Sequence, residues 1–212
     1  MNSIKEKPAE QVWANFKEVL NLTDEQLEQF KKYEELLGES NKNINLTAIK
    51  SLSGVVRQHF QDSVALQDFV DLKEIKTIAD VGSGAGFPAI PLKILYPNLN
   101  VILIEVTKKK QEFLKELVEV LELENVEICD LDWRTFLRTT EANVDLFLTR
   151  AALNDLELCR VFKPSCFYKN SKLIYWVSDE WTVNPKVEKY LKELKPYVLG
   201  RKARKLAFFE LK

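Results

Sequence analysis

The sequence predicts an α/β fold: a Rossmann-like, mostly parallel, doubly wound sheet behind an N-terminal helical extension. Three observations predict it. From Lys76 onward, short apolar runs alternate with segments of helical period, which is the pattern of right-handed βαβ crossovers. A turn with three glycines separates the first apolar run from the segment that follows it. The first fifty residues show only helical spacing and no strand-like alternation. With 212 residues, 46% of them hydrophobic, the chain is long enough to bury a core of its own.

The elements follow in order. Over 8–20, Val12, Trp13, Phe16, Val19 and Leu20 recur at helical spacing. Thr23 suits an N-cap, with Gln26 completing a capping box, and Gly38 is expected to end that second helix. The Asn-rich stretch 39–45 reads as a loop, and a further helix is expected over 54–69, carrying His59, Asp62 and Ser63. Strands are expected at 77–81, 100–105, 126–129, 144–149, 173–177 and 206–211. Helices are expected at 88–95, 108–121, 151–162 and 187–194. Residues 1–52 are therefore read as the helical extension and 53–212 as the Rossmann-like domain.

Composition excludes several classes. Six glycines and seven prolines among 212 residues rule out collagen-like and wholly disordered chains. No apolar run approaches a membrane span, and the polar start over residues 1–10 lacks the core of a secretory signal. Cys129, Cys159 and Cys166 are odd in number and lack CxxC spacing, so they read as reduced thiols of a cytoplasmic protein that holds no metal. A net charge of −1 is unlike a nucleic-acid coat, yet 195–212 holds six basic residues against Glu210 alone. A local anion-binding face is permitted.

The strongest signal is Ile78-Ala79-Asp80-Val81-Gly82-Ser83-Gly84-Ala85-Gly86-Phe87-Pro88, a strand running through a glycine turn into a helix. Such a turn lies at the carboxyl end of the first strand, where ligands of doubly wound sheets bind. The dinucleotide pattern GxGxxG would need a glycine at position 87, which is Phe87. Asp80 would repel a pyrophosphate but welcome an amino group and a sulfonium. The second strand ends in Glu105, nineteen residues beyond Gly86, where a carboxylate can accept ribose hydroxyls. Together these read as an S-adenosylmethionine site. The plainer alternative is a tight turn and a solvated strand end.

Residues 80–92 (D-V-G-S-G-A-G-F-P-A-I-P-L) resemble the motif of the RsmG family, also called GidB, the 16S rRNA guanine-N7 methyltransferases. Further resemblances stand in order: N-I-N-L-T-A-I at 43–49, H-F-Q-D-S at 59–63, Lys109-Lys110 with Phe113-Leu114 in 103–114, and L-T-R-A at 148–151. There are departures. Ala89 stands where the family has Gly, Glu105 where it has Asp, and Asp132-Trp133-Arg134 where it has R-A-E. The family's Lys-Gly after strand five is absent. The resemblance implies a class I S-adenosylmethionine-dependent methyltransferase acting on the helix-eighteen loop of 16S rRNA in the small ribosomal subunit. A monomer is expected.

It also implies roles. Asp80, Gly82, Gly84, Gly86, Phe87, Glu105, Asp132, Trp133, Arg134 and Arg150 are the expected cofactor residues, with Arg150 and His59 at the reacting centre. Lys93, Lys109, Lys110, Arg201 and Lys202 are expected to contact RNA phosphates. The N7 lone pair needs no prior deprotonation, so positioning is expected to outweigh general-base chemistry. Several readings stay open. His59 either fastens a helix or sits at the substrate mouth. Trp133 either stacks on a splayed guanine or covers the adenine. Other methyl acceptors, a degraded dinucleotide turn and a non-catalytic RNA-binding module are the competing functions.

Overall fold

A computed structural model describes residues 8–211. The polar start read above for the absence of a signal lies largely outside the described residues. Helices α1 (Ala9–Leu20) and α2 (Asp24–Ser40) open the chain. Thr23 and Gln26 form the expected capping box, each side chain bonded to the other's backbone N–H. Gly38 does not end α2, which runs two residues further to a cap at Asn41; an added Cβ at Gly38 would meet nothing, so this glycine is simply an exposed helical position. Residues 52–68 form one continuous helical run: α3 (Leu52–Val55), a π-helical segment (Val56–Gln61), α4 (Asp62–Val64) and a 3₁₀ turn (Ala65–Asp68).

The alternation then begins: β1 (Thr77–Val81), α5 (Ala89–Leu95), β2 (Asn100–Ile104), α6 (Lys108–Val120), β3 (Val126–Cys129), α7 (Trp133–Thr139), β4 (Leu146–Arg150), α8 (Asp155–Leu158) and β5 (Lys172–Ser178). An antiparallel pair, β6 (Leu191–Leu199) and β7 (Lys202–Phe209), closes the chain. The sheet order is β3-β2-β1-β4-β5-β7-β6, parallel through β5. Strand residues alternate between two cores, as the pleat requires. Ile78, Leu103 and Leu148 face a core built with Phe16, Phe30 and Tyr33 of the N-terminal helices. Ala79, Ile102 and Phe147 face a second core with Trp133, Phe136 and Phe162.

Two sequence expectations need correction here. The helix expected over 187–194 is a 3₁₀ turn leading into β6. Leu191 and Leu194 stand three apart and imitate helical period, while β6 is an edge strand whose residues are mostly exposed, so its own period is weak. Pro196 is tolerated there because an edge strand can spare a donor. In addition, 151–154 is not helical. Ala151 takes φ 58°, and the helix starts only at α8, after the cap at Asn154.

Candidate functional site

The strand order reverses between β1 and β4, and a cavity of about 960 Å³ opens at their carboxyl ends. Its first wall is mostly backbone. Gly82, Gly84 and Gly86 take φ of 73°, 58° and 92°, a region costly for residues with a Cβ. A Cβ on Gly82 would sit 2.3 Å from the Ala152 side chain, and one on Gly86 would sit 2.8 Å from Tyr33 Oη. One on Gly84 would meet only the Gly82 carbonyl, at 3.8 Å, so the middle glycine keeps its face open toward the cavity. Tyr33 of α2 donates to the Ala85 carbonyl, which ties α2 to this turn.

Glu105 lines the same wall. Its Oε2 accepts from Gly84 N–H at 3.0 Å and its Oε1 from Thr107 N–H at 2.8 Å. Each oxygen keeps a lone pair for a ligand. Asp80 is placed differently from the expectation. It is fully buried behind the turn and does not line the cavity. Its Oδ2 is 3.4 Å from Ala89 N–H and its Oδ1 has no partner. Burial pushes its carboxyl up to about 7, partly opposed by the Ala89 N–H and by Arg150. Gly86 likewise supports the turn from behind.

Asp132, Trp133 and Arg134 all line the cavity, and α7 explains how. Asp132 is its N-cap, accepting from the backbone N–H of Arg134 and Thr135. Arg134 is paired with Glu157, whose carboxyl that pairing holds down at about 2. Trp133 is buried against Phe136 and Phe147 and donates to the Glu157 carbonyl at 3.0 Å. A ring so enclosed is not open to stack on a splayed guanine, which corrects that half of its expectation.

The opposite wall is built from side chains. Phe87 stacks between Tyr33 and His59, with ring centroids 5.2 and 4.5 Å away. Arg150, at the end of β4, holds its guanidinium 5.0 Å over the same ring. Arg150 Nη2 donates to His59 Nδ1 at 3.1 Å. Arginine can only donate, so Nδ1 is the acceptor and Nε2 carries the proton, which Thr47 Oγ1 accepts at 2.7 Å. Burial, reinforced by Arg150, lowers His59 to about 4, and the imidazole is neutral near pH 7.

Arg150 Nη1 also donates to the Gln58 carbonyl and to Asp62 Oδ2. Asp62 is the centre of this wall. It is buried and takes bonds from Arg150, Arg204 and the Tyr197 hydroxyl, while its backbone carbonyl accepts from Trp176 Nε1. The sequence singled out His59 and Arg150 but missed Arg204, Tyr197 and the role of Asp62. The only signal was Asp62 at i+3 from His59; its partners lie 88–142 residues away. His59 and Arg150 meet at one wall, and His59 both fastens the helical run and faces the cavity.

Of the basic residues, Lys93 is corrected. It is 1% exposed, and its ammonium donates to the carbonyls of Pro97 and Leu99, closing the end of α5, so no phosphate reaches it. Lys109 is exposed on α6, Lys110 reaches the cavity, Arg201 stands at the β6–β7 turn and Lys202 lines the second wall. Among the described residues, no cluster of His, Cys, Asp and Glu is arranged to hold a metal, and no helix is long and apolar enough to cross a membrane.

Compared with known families, residues 26–177 match the model of GidB, the rRNA small subunit methyltransferase G. The chain belongs to this family. Relatives named ribosomal RNA small subunit methyltransferase G include that of Aster yellows witches'-broom phytoplasma, 47% identical over 53% of this chain and 53% of its own. That of Bacillus licheniformis is 41% identical over 71% of this chain and 66% of its own. The chain spans about half the length of the first curated relatives it matches. Among solved structures, a SAM-dependent methyltransferase from Aquifex aeolicus aligns with a TM-score of 0.54 at 20% identity, covering 78% of this chain and 97% of that one. A variant of MtNAS solved with S-adenosylmethionine aligns at 0.57 and 12% identity, covering 94% and 84%. These likenesses establish the fold, the α/β sheet of class I methyltransferases.

Proposed function

We propose that this GidB member transfers a methyl group from S-adenosylmethionine to N7 of a guanine in 16S rRNA, in the helix-eighteen loop of the small ribosomal subunit. That substrate places its work in the cytoplasm. The cofactor reading is supported by the donor set of the first wall. Gly84 leaves a backbone approach that a Cβ would fill, and Glu105 keeps acceptor sites beside it. The Asp132–Arg134 segment completes the enclosure. When bound, S-adenosylmethionine supplies a methyl group on a positively charged sulfur.

The chain's own residues orient and shield. Glu105 takes hydroxyl donors of a ribose, and the glycine turn offers backbone N–H groups. The second wall positions the acceptor base. His59 is a poor general base, because its Nδ1 lone pair is engaged by Arg150. Guanine N7 asks for no base, since its lone pair is already available. Catalysis therefore rests on alignment in an enclosed cavity, an effect worth about 7–11 kcal/mol when geometry is well fixed.

The observation that carries the reading is this pairing at one switch point: a glycine-and-carboxylate wall facing an imidazole with no free lone pair. The test is methyl incorporation into small subunits lacking the modification, with mass-spectrometric mapping of modified guanines. One N7-methylated guanine appearing with the protein supports the reading. Methylation of a different base atom, or of small amines in preference to subunits, contradicts it.

A further inference from the structure

The cavity is electrically lopsided. Its first wall sets Glu105, Asp132 and Glu157 against Lys110 and Arg134. Its second wall sets Arg150, Arg204 and Lys202 against one carboxylate, Asp62. Both guanidiniums share a single oxygen of Asp62, each at 3.1 Å. His59 is neutral and adds nothing. Three cations against one anion leave two positive charges in excess on this side.

Those charges are not consumed elsewhere. Lys202 donates to the neutral amide of Gln58 at 2.9 Å, and among the described residues no acid pairs with it. Arg204 spends one Nη2 bond on Asp62, and its Nε has no partner. The fold holds both in place. Gly200, at φ 64°, turns the β6–β7 hairpin so that its tip lies on Arg57 of the π-helical segment. Lys202 and Arg204 start β7 just beyond, on the strand face turned to Gln58 and Asp62.

A neutral base needs orientation but no net positive charge. The nucleotide that carries it brings a phosphodiester on either side. We infer that the β6–β7 hairpin and the π-helical segment form a phosphodiester subsite, with Lys202 and Arg204 as donors, that grips the RNA backbone beside the base entering the cavity. The inference rests on the RNA reading proposed above. It adds a specific site to that reading: the target nucleotide is held by its phosphate on the C-terminal hairpin. The same charges also suit the carboxylate of the cofactor, and the test separates the two.

The variants are Lys202→Gln and the conservative Lys202→Arg; Lys202 is exposed, so neither disturbs the core. Three readouts are taken: binding of unmodified small subunits across a salt series, binding of GMP against guanosine, and affinity for S-adenosylmethionine. The expected result for Lys202→Gln is about three- to tenfold weaker subunit binding, the scale of one ordinary net hydrogen bond. Its salt slope should fall by about 0.7, the value for one single-strand phosphate contact. Wild type should prefer GMP to guanosine, Lys202→Gln should cut that preference about three- to tenfold, and Lys202→Arg should restore it. An unchanged salt slope, or a GMP preference indifferent to Lys202, overturns the subsite. Weakened S-adenosylmethionine binding with the GMP preference intact assigns the charges to the cofactor and also overturns it. The GMP readout needs no turnover, so failure of wild type to methylate subunits counts against the rRNA reading alone.

Discussion

The two walls of the cavity are made in opposite ways. The first is local: one turn, Gly82 to Gly86, and one strand-end carboxylate that bonds to the turn's backbone. The second is assembled from side chains far apart in the chain, Asp62 reaching Arg150, Tyr197 and Arg204. The difference shows that backbone geometry shapes the first wall, whereas a buried charge network shapes the second. Each wall should therefore fail separately, and the following changes test that separation.

The largest effect is expected from Gly84→Val. Its Cβ meets nothing closer than 3.8 Å, so the fold should survive the left-handed strain of about 1–2 kcal/mol. The branched side chain fills the cavity face, and calorimetry should find S-adenosylmethionine binding abolished. Retained affinity with a normal melt would detach the glycine turn from the cofactor.

Next comes Asp62→Ala. It strands two guanidiniums and the Tyr197 hydroxyl, and removing one partner of such a buried set costs about 3–5 kcal/mol. Denaturant midpoints should drop accordingly. A loss below about 1 kcal/mol would mean that the second wall is not held by this carboxylate.

The pH dependence sharpens the contrast, because Asp80 behind the first wall and His59 in the second titrate in opposite senses. Asp80 is raised from 3.8 to about 7 in the folded protein, so its contribution to stability is full below about pH 4 and is lost as pH rises toward 7. His59 is lowered from 6.5 to about 4, so its contribution is full above about pH 6.5 and is lost as pH falls toward 4. The Asp80 swing is worth up to about 4 kcal/mol and the His59 swing up to about 3 kcal/mol. Across pH 4–7 the two slopes oppose each other. Relative to wild type, Asp80→Asn should tilt stability toward a rise with pH, and His59→Gln should tilt it toward a fall. Denaturation at stepped pH measures this, and parallel curves for all three proteins would contradict it.

The smallest effect is expected from Glu105→Ala, which should weaken S-adenosylmethionine by about 1–3 kcal/mol in a calorimetric titration. Unaltered affinity would place ribose recognition elsewhere.

The same contrast explains what was legible in the sequence. The glycine spacing, Asp80 and Glu105 are close in sequence, and their chemistry follows from residue type and turn geometry. Legibility stopped at orientation. Asp80 reads as a cavity residue, yet the pleat turns it behind the turn, and Lys93 reads as a surface cation although the end of α5 draws it inward. The second wall was illegible because its bonds span 88–142 residues and arise only once β7 lies against β5. The hairpin itself was missed for a local reason: Leu191 and Leu194 imitate a helix on an edge strand whose pattern is weak.

The most direct test is a pair of titrations on the wild-type protein, one with S-adenosylmethionine and one with NADH. A cavity edged by Glu105 and an open Gly84 should bind S-adenosylmethionine stoichiometrically and leave NADH unbound. Tight NADH binding with no heat from S-adenosylmethionine would contradict the assignment of the first wall.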